Sequence, residues 1–220
     1  DIRVWNTETN ECETVLEGHT NWLQCLVVHN NKLYSSGCDN TIRVWNTETN
    51  ECVTTLGGHT TTVTCLLVHN NKLYSGSNDR TIRVWNTETN ECETVFVLRG
   101  HTTSLDCLIG HNNKLYSGGF DKTIRVWNTE TNECETVLEG HTGWVHCLLV
   151  HNNKLYSGND DRIIRVWNTE TNECETTLRG HTGSVTCLVV HNNKLYSGSY
   201  DDDIRVWNTE TNECETVLEG

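Results

Sequence analysis

Short apolar stretches separated by polar turns recur along this chain at a nearly fixed interval. The spacings between successive copies of Ile-Arg-Val-Trp are 40, 40, 42, 40 and 40 residues, and such a period is typical of a repeat architecture. A residue type that recurs at one position of every copy therefore belongs to the scaffold, whereas a residue that breaks the pattern is a candidate for function. The six copies end at Trp5, Trp45, Trp85, Trp127, Trp167 and Trp207.

The unit formed by residues 18–57 predicts four short antiparallel strands. Its first apolar run is almost continuous, which favours a strand covered on both faces. The pair Asn30-Asn31 favours a tight hairpin, because Asn tolerates a positive φ angle. Four strands per repeat of this length are the blade of a β-propeller. The predicted strands cover residues 22–29, 32–36, 41–45 and 51–56.

The repeated motifs resemble those of the WD-repeat (WD40) family over essentially the whole chain. Each complete unit carries Gly-His, then a Leu-Tyr-Ser-Gly-type stretch followed by Asp, then Ile-Arg-Val-Trp-Asn. One departure is systematic, because the Asp that follows the Trp in the family is Asn in all copies, beginning with Asn6. The resemblance implies an all-β, WD40-type β-propeller with four-stranded antiparallel blades. The strand residues are also similar to propellers of F-box/WD-repeat and TRAF-type ubiquitin-ligase subunits, which implies a substrate-receptor role as a special case.

The repeats predict a single repeat domain over residues 1–220, with five complete blades and a surplus amino-terminal half-blade. Residues 1–18 are identical to residues 203–220, so the chain is a window of a longer array, a five-bladed ring with a surplus half-blade, or a ring closed by a partner chain; we expect a window or an assembly. Phe96 and Val97 add two residues and predict a bulge or a longer loop. The half-blade is 1–18 and the repeats are 19–58, 59–100, 101–140, 141–180 and 181–220.

A Ser-His-Asp combination recurs in five units and has the composition of a catalytic triad. Five equivalent copies argue for architecture, because an enzyme needs one activated nucleophile in a cleft with an oxyanion hole. We therefore expect no enzymatic activity. The WD40 resemblance implies instead a buried hydrogen-bonded tetrad of His, Ser, Asp and Trp in each unit. The predicted tetrads are His19, Ser35, Asp39 and Trp45; His59, Ser75, Asp79 and Trp85; His101, Ser117, Asp121 and Trp127; His141, Ser157, Asp161 and Trp167; and His181, Ser197, Asp201 and Trp207.

Eleven of the twelve cysteines follow the repeat period, and Cys38 is the exception. We expect the periodic cysteines to be small buried side chains with free thiols, in a reducing, cytoplasmic compartment. Cys25 and His29 recur at an i, i+4 spacing, but on a strand this places them about 13 Å apart, too far to share a zinc ion. The sequence predicts no metal site and, lacking a Gly-rich phosphate-binding loop, no cofactor.

The copies disagree mainly after Gly-His and on either side of the tetrad Asp. Both places are expected at one end of a blade, which the WD40 resemblance makes the top face, the usual partner-binding surface. Drift at exposed loops is the alternative, but drift would also have altered the nearly invariant turns at the other end. Exposed aromatic and Arg side chains anchor interfaces. The predicted partner-binding residues are Trp22, Gln24, Arg80, Asp106, Phe120, Lys122, Trp144, His146, Arg162 and Tyr200.

The net charge of −14 argues against nucleic acid or an anionic membrane as a partner. The leading hypothesis is a noncatalytic scaffold that binds a protein or peptide on its top face. The alternative is an engineered or recently amplified repeat module whose main property is self-assembly or ring closure, without a specific ligand. Under that alternative, a homo-oligomer or additional blades complete the ring.

Overall fold

The computed structural model describes residues 1–92 and 100–220 with their side chains, and residues 93–99 only as part of one strand. The expected bulge at Phe96 and Val97 therefore lies outside the described residues. The chain divides into two compact units, unit 1 over residues 1–99 and unit 2 over residues 100–220. The expectation of one repeat domain over residues 1–220 stays a prediction, and each unit is described by itself.

Unit 1 contains one two-stranded sheet and two four-stranded sheets, all antiparallel and all with consecutive strands as neighbours. The half-blade pairs β1 (Ile2–Trp5) with β2 (Cys12–Leu16). The first complete blade comprises β3 (Leu23–His29), β4 (Lys32–Gly37), β5 (Ile42–Asn46) and β6 (Cys52–Leu56). The second comprises β7 (Val63–His69), β8 (Lys72–Ser77), β9 (Thr81–Asn86) and β10 (Cys92–Arg99).

Unit 2 contains three four-stranded antiparallel blades of the same order. The first comprises β11 (Leu105–His111), β12 (Lys114–Gly119), β13 (Ile124–Asn128) and β14 (Cys134–Leu138). The second comprises β15 (Val145–His151), β16 (Lys154–Asn159), β17 (Ile163–Asn168) and β18 (Cys174–Arg179). The third comprises β19 (Val185–His191), β20 (Lys194–Ser199), β21 (Ile204–Asn208) and β22 (Cys214–Leu218).

The strand register decides which loops share an end of a blade. In the blade β3–β6, Leu23 pairs with Gly37 at one end, and His29 pairs with Lys32 at the other. The loop that enters the first strand and the turn between the second and third strands therefore lie at the same end, which we call the top edge. The Asn-Asn hairpin and the turn between the third and fourth strands lie at the opposite end, the bottom edge.

The Asn that follows Trp uses both ends of its amide at the bottom edge in four copies, at Asn6, Asn128, Asn168 and Asn208. Asn128 Oδ1 accepts hydrogen bonds from the backbone N–H groups of Glu130 and Thr131, at 2.9 and 3.0 Å, which closes the turn. Its Nδ2 donates to Glu135 Oε1 at 3.0 Å, a bond that a carboxylate could not make. The predicted positive φ of hairpin asparagines is confirmed, for example 51° at Asn30.

Adjacent blades within a unit pack through large side chains of their second and third strands. In unit 2, Tyr116 and Val126 of one blade pack with Leu155 and Trp167 of the next. Full burial of such side chains is worth about 1.5–3 kcal/mol each. The first strand of a blade is covered less than expected. In β3 of unit 1, only alternate residues, such as Cys25 and Val27, pack against the core between the two blades of that unit. Leu26 points away and is exposed, so the expectation of a strand covered on both faces is wrong there.

The cysteines are free, but the expectation that the periodic ones are buried is wrong for one series. The thiols that follow Glu sit at the start of the fourth strand, and five of the six are exposed because no further strand covers that side. The other series lies in the first strands and is mostly shielded; burial raises the pKa of Cys147 to about 12. Cys187 of that second series is also exposed, so the expectation fails there as well. The exposed cysteines of the Glu-Cys series are Cys12, Cys52, Cys134, Cys174 and Cys214.

Candidate partner-binding edge

The two variable places of each repeat meet at the top edge through one backbone hydrogen bond. In the second blade of unit 2, Asp160 N–H donates to Trp144 O at 3.1 Å. The same bond recurs in every complete blade, so the residue before the tetrad Asp always lies beside the residue three after the tetrad His. The counterpart pairs are Cys38 with Trp22, Asn78 with Thr62, Phe120 with Ser104 and Tyr200 with Ser184, at 2.8–3.0 Å.

Below this edge, each complete blade contains the tetrad as a linear chain of hydrogen bonds. In the blade β3–β6, His19 Nδ1 lies 2.8 Å from Asp39 Oδ2, and its Nε2 lies 2.8 Å from Ser35 Oγ. Trp45 Nε1–H donates to the same Ser35 Oγ at 2.8 Å. A neutral histidine that carries its proton on Nδ1 satisfies the whole chain, because the serine O–H then donates to Nε2. The other four blades repeat this arrangement within a few tenths of an ångström.

The tetrad Asp also ties the top-edge loops to the blade. Asp161 Oδ2 accepts from Thr142 N–H at 3.0 Å, and Oδ1 accepts from Ile163 N–H at 3.1 Å. Burial alone would raise the pKa of this carboxyl, but the hydrogen bonds from His141 and from backbone N–H groups outweigh burial and hold it well below its usual range. Burial lowers the pKa of His141, against the opposing effect of Asp161.

The tetrad serines are closed to substrates. Each has an exposed fraction of 0%, and each oxygen is already engaged by both a histidine and a tryptophan. A nucleophile must reach its substrate and needs donors for an oxyanion. The arrangement therefore does structural work at the five positions: it fixes the loop that carries the variable side chains to the turn that follows the second strand.

The top edge of unit 1 presents one large exposed aromatic side chain. Trp22 is 79% exposed and lies directly before β3. Gln24 is also exposed, and its Nε2 donates to Cys38 Sγ at 3.2 Å, so the one cysteine outside the repeat period contacts another variable residue. Arg80 is exposed in the turn between β8 and β9.

The top edge of unit 2 carries a preformed aromatic stack. Phe120, in the turn of the first blade, and Trp144, in the loop of the second blade, have ring centroids 4.3 Å apart and planes inclined by 9°. Stacked aromatic pairs contribute about 0.5–1.5 kcal/mol beyond the area they bury. Trp144 remains 45% exposed, so the stack still offers aromatic surface to a partner. The sequence predicted both residues for this surface but not their contact.

His146 lies beside this stack and bridges the same two blades. Its Nδ1 is 2.8 Å from Asp106 Oδ2 on β11, and its Nε2 is 2.7 Å from Asp160 Oδ1. The bond to Asp106 raises the pKa of His146, and Asp160 adds to that effect, whereas burial opposes both. Burial would raise the pKa of Asp160, but hydrogen bonds from His146 and the Ser184 hydroxyl lower it.

Two residues of this cluster were missed among the predicted partner-binding residues. Asp160 stands before a tetrad Asp, at the position that Phe120 and Tyr200 occupy in other units, and this alignment could have identified it. Ser184 contacts Asp160 from the next blade, and only the structure brings the two together. Tyr200 is 77% exposed, and no aromatic partner of it is found among the described residues.

Four of the five residues that follow a tetrad Asp are charged, and they occupy a backbone conformation that the sequence did not indicate; the acidic one is Asp202, with φ 68°. Arg80, Lys122 and Arg162 have φ angles of 70°, 69° and 68°, in the left-handed region that Gly and Asn favour. Asn40 stands at the equivalent position with φ 65°. All three cationic side chains are exposed, so their placement gives the top edge its positive charges at some cost in backbone strain.

Two cavities lie at the bottom edge, one of about 520 Å³ between the blades of unit 1 and one of about 410 Å³ between two blades of unit 2. Their linings repeat the same residue types, including Lys32 and Lys114, whose Nζ atoms donate to a carbonyl of the next blade at 2.6 and 2.8 Å. Within the described residues, no group of His, Cys, Asp and Glu could hold a metal ion.

The family model for the WD domain, G-beta repeat (WD40), matches five segments that cover most of the chain. They are residues 10–46, 50–86, 92–128, 132–168 and 172–208. The chain belongs to the WD40 family. The predicted fold class, all-β WD40-type blades with five complete blades and an amino-terminal half-blade, is confirmed.

Among solved structures, the chain is similar to the computationally designed Ika8 protein. The identity is 31%, the TM-score is 0.89, and the match covers 99% of this chain and 68% of the designed one. No curated protein matches the chain. The described residues form no helix with the length and apolar character needed to cross a membrane. WD40 repeats are typical of protein-interaction scaffolds, and that general class applies to this chain.

Proposed function

We propose that this protein is a noncatalytic scaffold that binds a protein or peptide through the top edges of its blades. The observation that carries the proposal is the meeting of the two variable places of each repeat at one edge, where they present exposed aromatic side chains. The bottom edge repeats the same turns with little change. Among the described residues its one large exposed aromatic side chain is Trp5, which ends the third-strand equivalent of the half-blade, at the position where the complete blades bury the tetrad Trp.

The composition of the top edge suits a protein or peptide partner. Trp and Tyr bury a large area on binding while few rotatable bonds are fixed, and together with Arg they dominate binding energy in interfaces. Trp22 and Tyr200 are more than three-quarters exposed, and Trp144 is nearly half exposed. The charges beside them are of both signs, which favours a partner held by aromatic anchors and a few polar contacts.

The remaining partner classes are less well supported. A chain of net charge −14 lacks the basic surface that nucleic acids and anionic lipids attract. Its free thiols support a reducing compartment, and we place the protein in the cytoplasm on that ground. A substrate-receptor role in ubiquitin ligation is a special case of the same binding function.

The proposal is tested by selecting peptides from a random displayed library on the immobilised chain and measuring their affinities. We expect Trp22→Ala or Trp144→Ala to weaken a selected peptide by at least about tenfold, as for an interface anchor. Trp5→Ala is the matched control, because Trp5 is 53% exposed but lies outside the top-edge loops. Peptides that bind all three variants as they bind the original chain would refute the proposed surface.

Self-assembly without a specific ligand is the second candidate, and the likeness to a designed protein is compatible with it. Sedimentation of the purified chain separates the two candidates. Defined oligomers together with a selection that enriches no peptide would support the assembly function. Peptide binding that depends on the top-edge tryptophans would support the scaffold function, whatever the oligomeric state.

A further inference from the structure

His146 is held by a carboxylate at each ring nitrogen. Asp106 belongs to the first blade of unit 2, whereas His146 and Asp160 belong to the second, so the histidine links adjacent blades at their top edge. All three side chains are partly exposed, with side-chain fractions of 18% for His146, 30% for Asp106 and 36% for Asp160. Protons can therefore reach the site from solvent.

This geometry suits the charged imidazolium and not the neutral ring. An imidazolium donates one N–H to each carboxylate, and both contacts are then charge-assisted hydrogen bonds. A neutral imidazole has one N–H, so one nitrogen must turn a lone pair toward a carboxylate at 2.8 Å or less. One of the two contacts then becomes repulsive and opens, which releases either the bond between the blades or the bond within the blade.

The same ring supports the aromatic stack. His146 lies edge-on to Phe120, with centroids 6.3 Å apart and an interplanar angle of 73°, and edge-on to Trp144, at 6.5 Å and 74°. Phe120 and Trp144 come from different blades, as Asp106 and Asp160 do. A histidine fixed at both nitrogens therefore holds the two blades and the two stacked rings in one arrangement.

Among the described residues, no other ionisable group takes the place of these contacts. The ionisable groups that face His146 are Asp106 on β11 and Asp160 in the turn between β16 and β17. The next residue on its own strand, Cys147, is a buried thiol that stays protonated at neutral pH. Lys122 and Arg162 are exposed and form no ion pair with these carboxylates in the described part of the chain.

We propose that His146 is a proton-dependent latch that fixes the Phe120–Trp144 stack, so that protonation controls the binding surface of unit 2. The latch deepens the proposed function and rests on it for its biological meaning, but its existence can be tested without any partner. The raised pKa of His146 gives the direction: the latch is closed at mildly acidic pH and opens as pH rises through that pKa. A partner that uses the stack binds more tightly when the latch is closed, because the surface is then preorganised.

The decisive variant is Asp160→Asn. An asparagine amide donates to the Nε2 lone pair of a neutral His146, whose Nδ1–H still donates to Asp106, so the latch stays closed without a proton on Nε2. The experiment follows the His146 ring and the Trp144 indole N–H by NMR between about pH 5 and pH 9, the range in which a perturbed histidine titrates. In the original chain, we expect the Trp144 signal to shift with the midpoint of His146, which lies above the ordinary value of about 6.5.

In Asp160→Asn, the Trp144 signal should lose that pH dependence. His151→Gln is the matched control, because it removes a histidine at the other end of the same strand and should leave the titration of Trp144 unchanged. The latch would be overturned if the Trp144 signal of the original chain did not change as His146 titrates. It would also be overturned if the Trp144 signal shifted with pH as much in Asp160→Asn as in the original chain.

The second measurement uses a displayed peptide whose binding depends on Trp144. We expect its affinity to fall about twofold to tenfold from pH 6 to pH 8.5 in the original chain, the range that an aromatic pair contributes, and to stay constant in Asp160→Asn. A peptide bound equally at both pH values by the original chain would overturn the gating. If selection yields no peptide, the proposed function fails, while the NMR titration still decides whether the latch exists.

Discussion

Two histidines of unit 2, His141 and His146, lie five residues apart and both contact carboxylates, but their pKa values shift in opposite directions. His141 is buried, contacts one carboxylate, Asp161, at 3.2 Å, and has a lowered pKa. His146 is half-buried, contacts two carboxylates and has a raised pKa. The difference shows that a neighbouring carboxylate does not by itself make a histidine a cation.

The number of hydrogen-bond acceptors around the ring, together with burial, decides whether the pKa of the histidine is raised or lowered. In the tetrad, Ser157 Oγ lies 2.7 Å from His141 Nε2 and can donate to it, so the neutral ring is fully satisfied and burial favours it. At His146 both partners are acceptors, so only the cation satisfies them. The first arrangement recurs in every complete blade as scaffold, whereas the second is found once among the described residues.

The largest expected effect separates the two neighbouring carboxylates Asp160 and Asp161. Asp161→Ala leaves His141 and two backbone N–H groups without their acceptor in a buried site, so we expect a loss of about 3 kcal/mol in the free energy of unfolding. Asp160→Ala removes a contact at the partly exposed edge and should cost less than about 1 kcal/mol. Urea unfolding of both variants measures the difference; equal losses would contradict the assignment of one to scaffold and the other to the edge.

A smaller effect is expected in the pH dependence of stability. The lowered pKa values of His141 and Asp161 mean that their stabilisation is complete above their unfolded values of about 6.5 and 3.9 and is lost as pH falls. The raised pKa of His146 gives stability the opposite dependence on pH. The stabilisation by His146 is complete below about pH 6.5 and is lost as pH rises through its raised pKa.

Unfolding from about pH 4 to pH 9 checks both signs. The original chain should lose less than about 1 kcal/mol on the alkaline side through His146. The loss should be smaller in Asp160→Asn, which keeps Asp106, the larger cause of the raised pKa of His146. Both chains should weaken alike toward acid. A larger acid loss in only one of them would show that the two histidines are coupled.

The smallest effect concerns the residue that follows both carboxylates in the same turn. Arg162 has φ 68°, and its side chain is exposed, so Arg162→Asn should raise stability by about 0.5 kcal/mol through relief of strain. The reverse change, Asn40→Arg, should lower the stability of unit 1 by a similar amount. Thermal unfolding measures both, and a destabilising Arg162→Asn would show that the arginine has a structural partner.

Much of the fold and part of the site could be predicted from the sequence. The repeat period located every complete blade. The repeated His, Ser, Asp and Trp residues indicated a structural role, because a side chain present in every copy does not mark a single binding or catalytic site. Breaks in the period pointed to Trp144 and His146. The exposure of Cys52 and its counterparts could not be predicted, because alternation gives a face of a strand but does not say whether another layer covers it.

The sequence by itself determined the blades, their order and the edge at which the copies differ, since each follows from spacing and from the two-residue period of a strand. Only the tertiary structure decided which variable residues meet. Asp106 and His146 are 40 residues apart and come together because adjacent blades pack through their cores. The charge of His146 depends on this contact, because the neighbouring carboxylates raise the pKa of the imidazole and the residue type alone does not fix it.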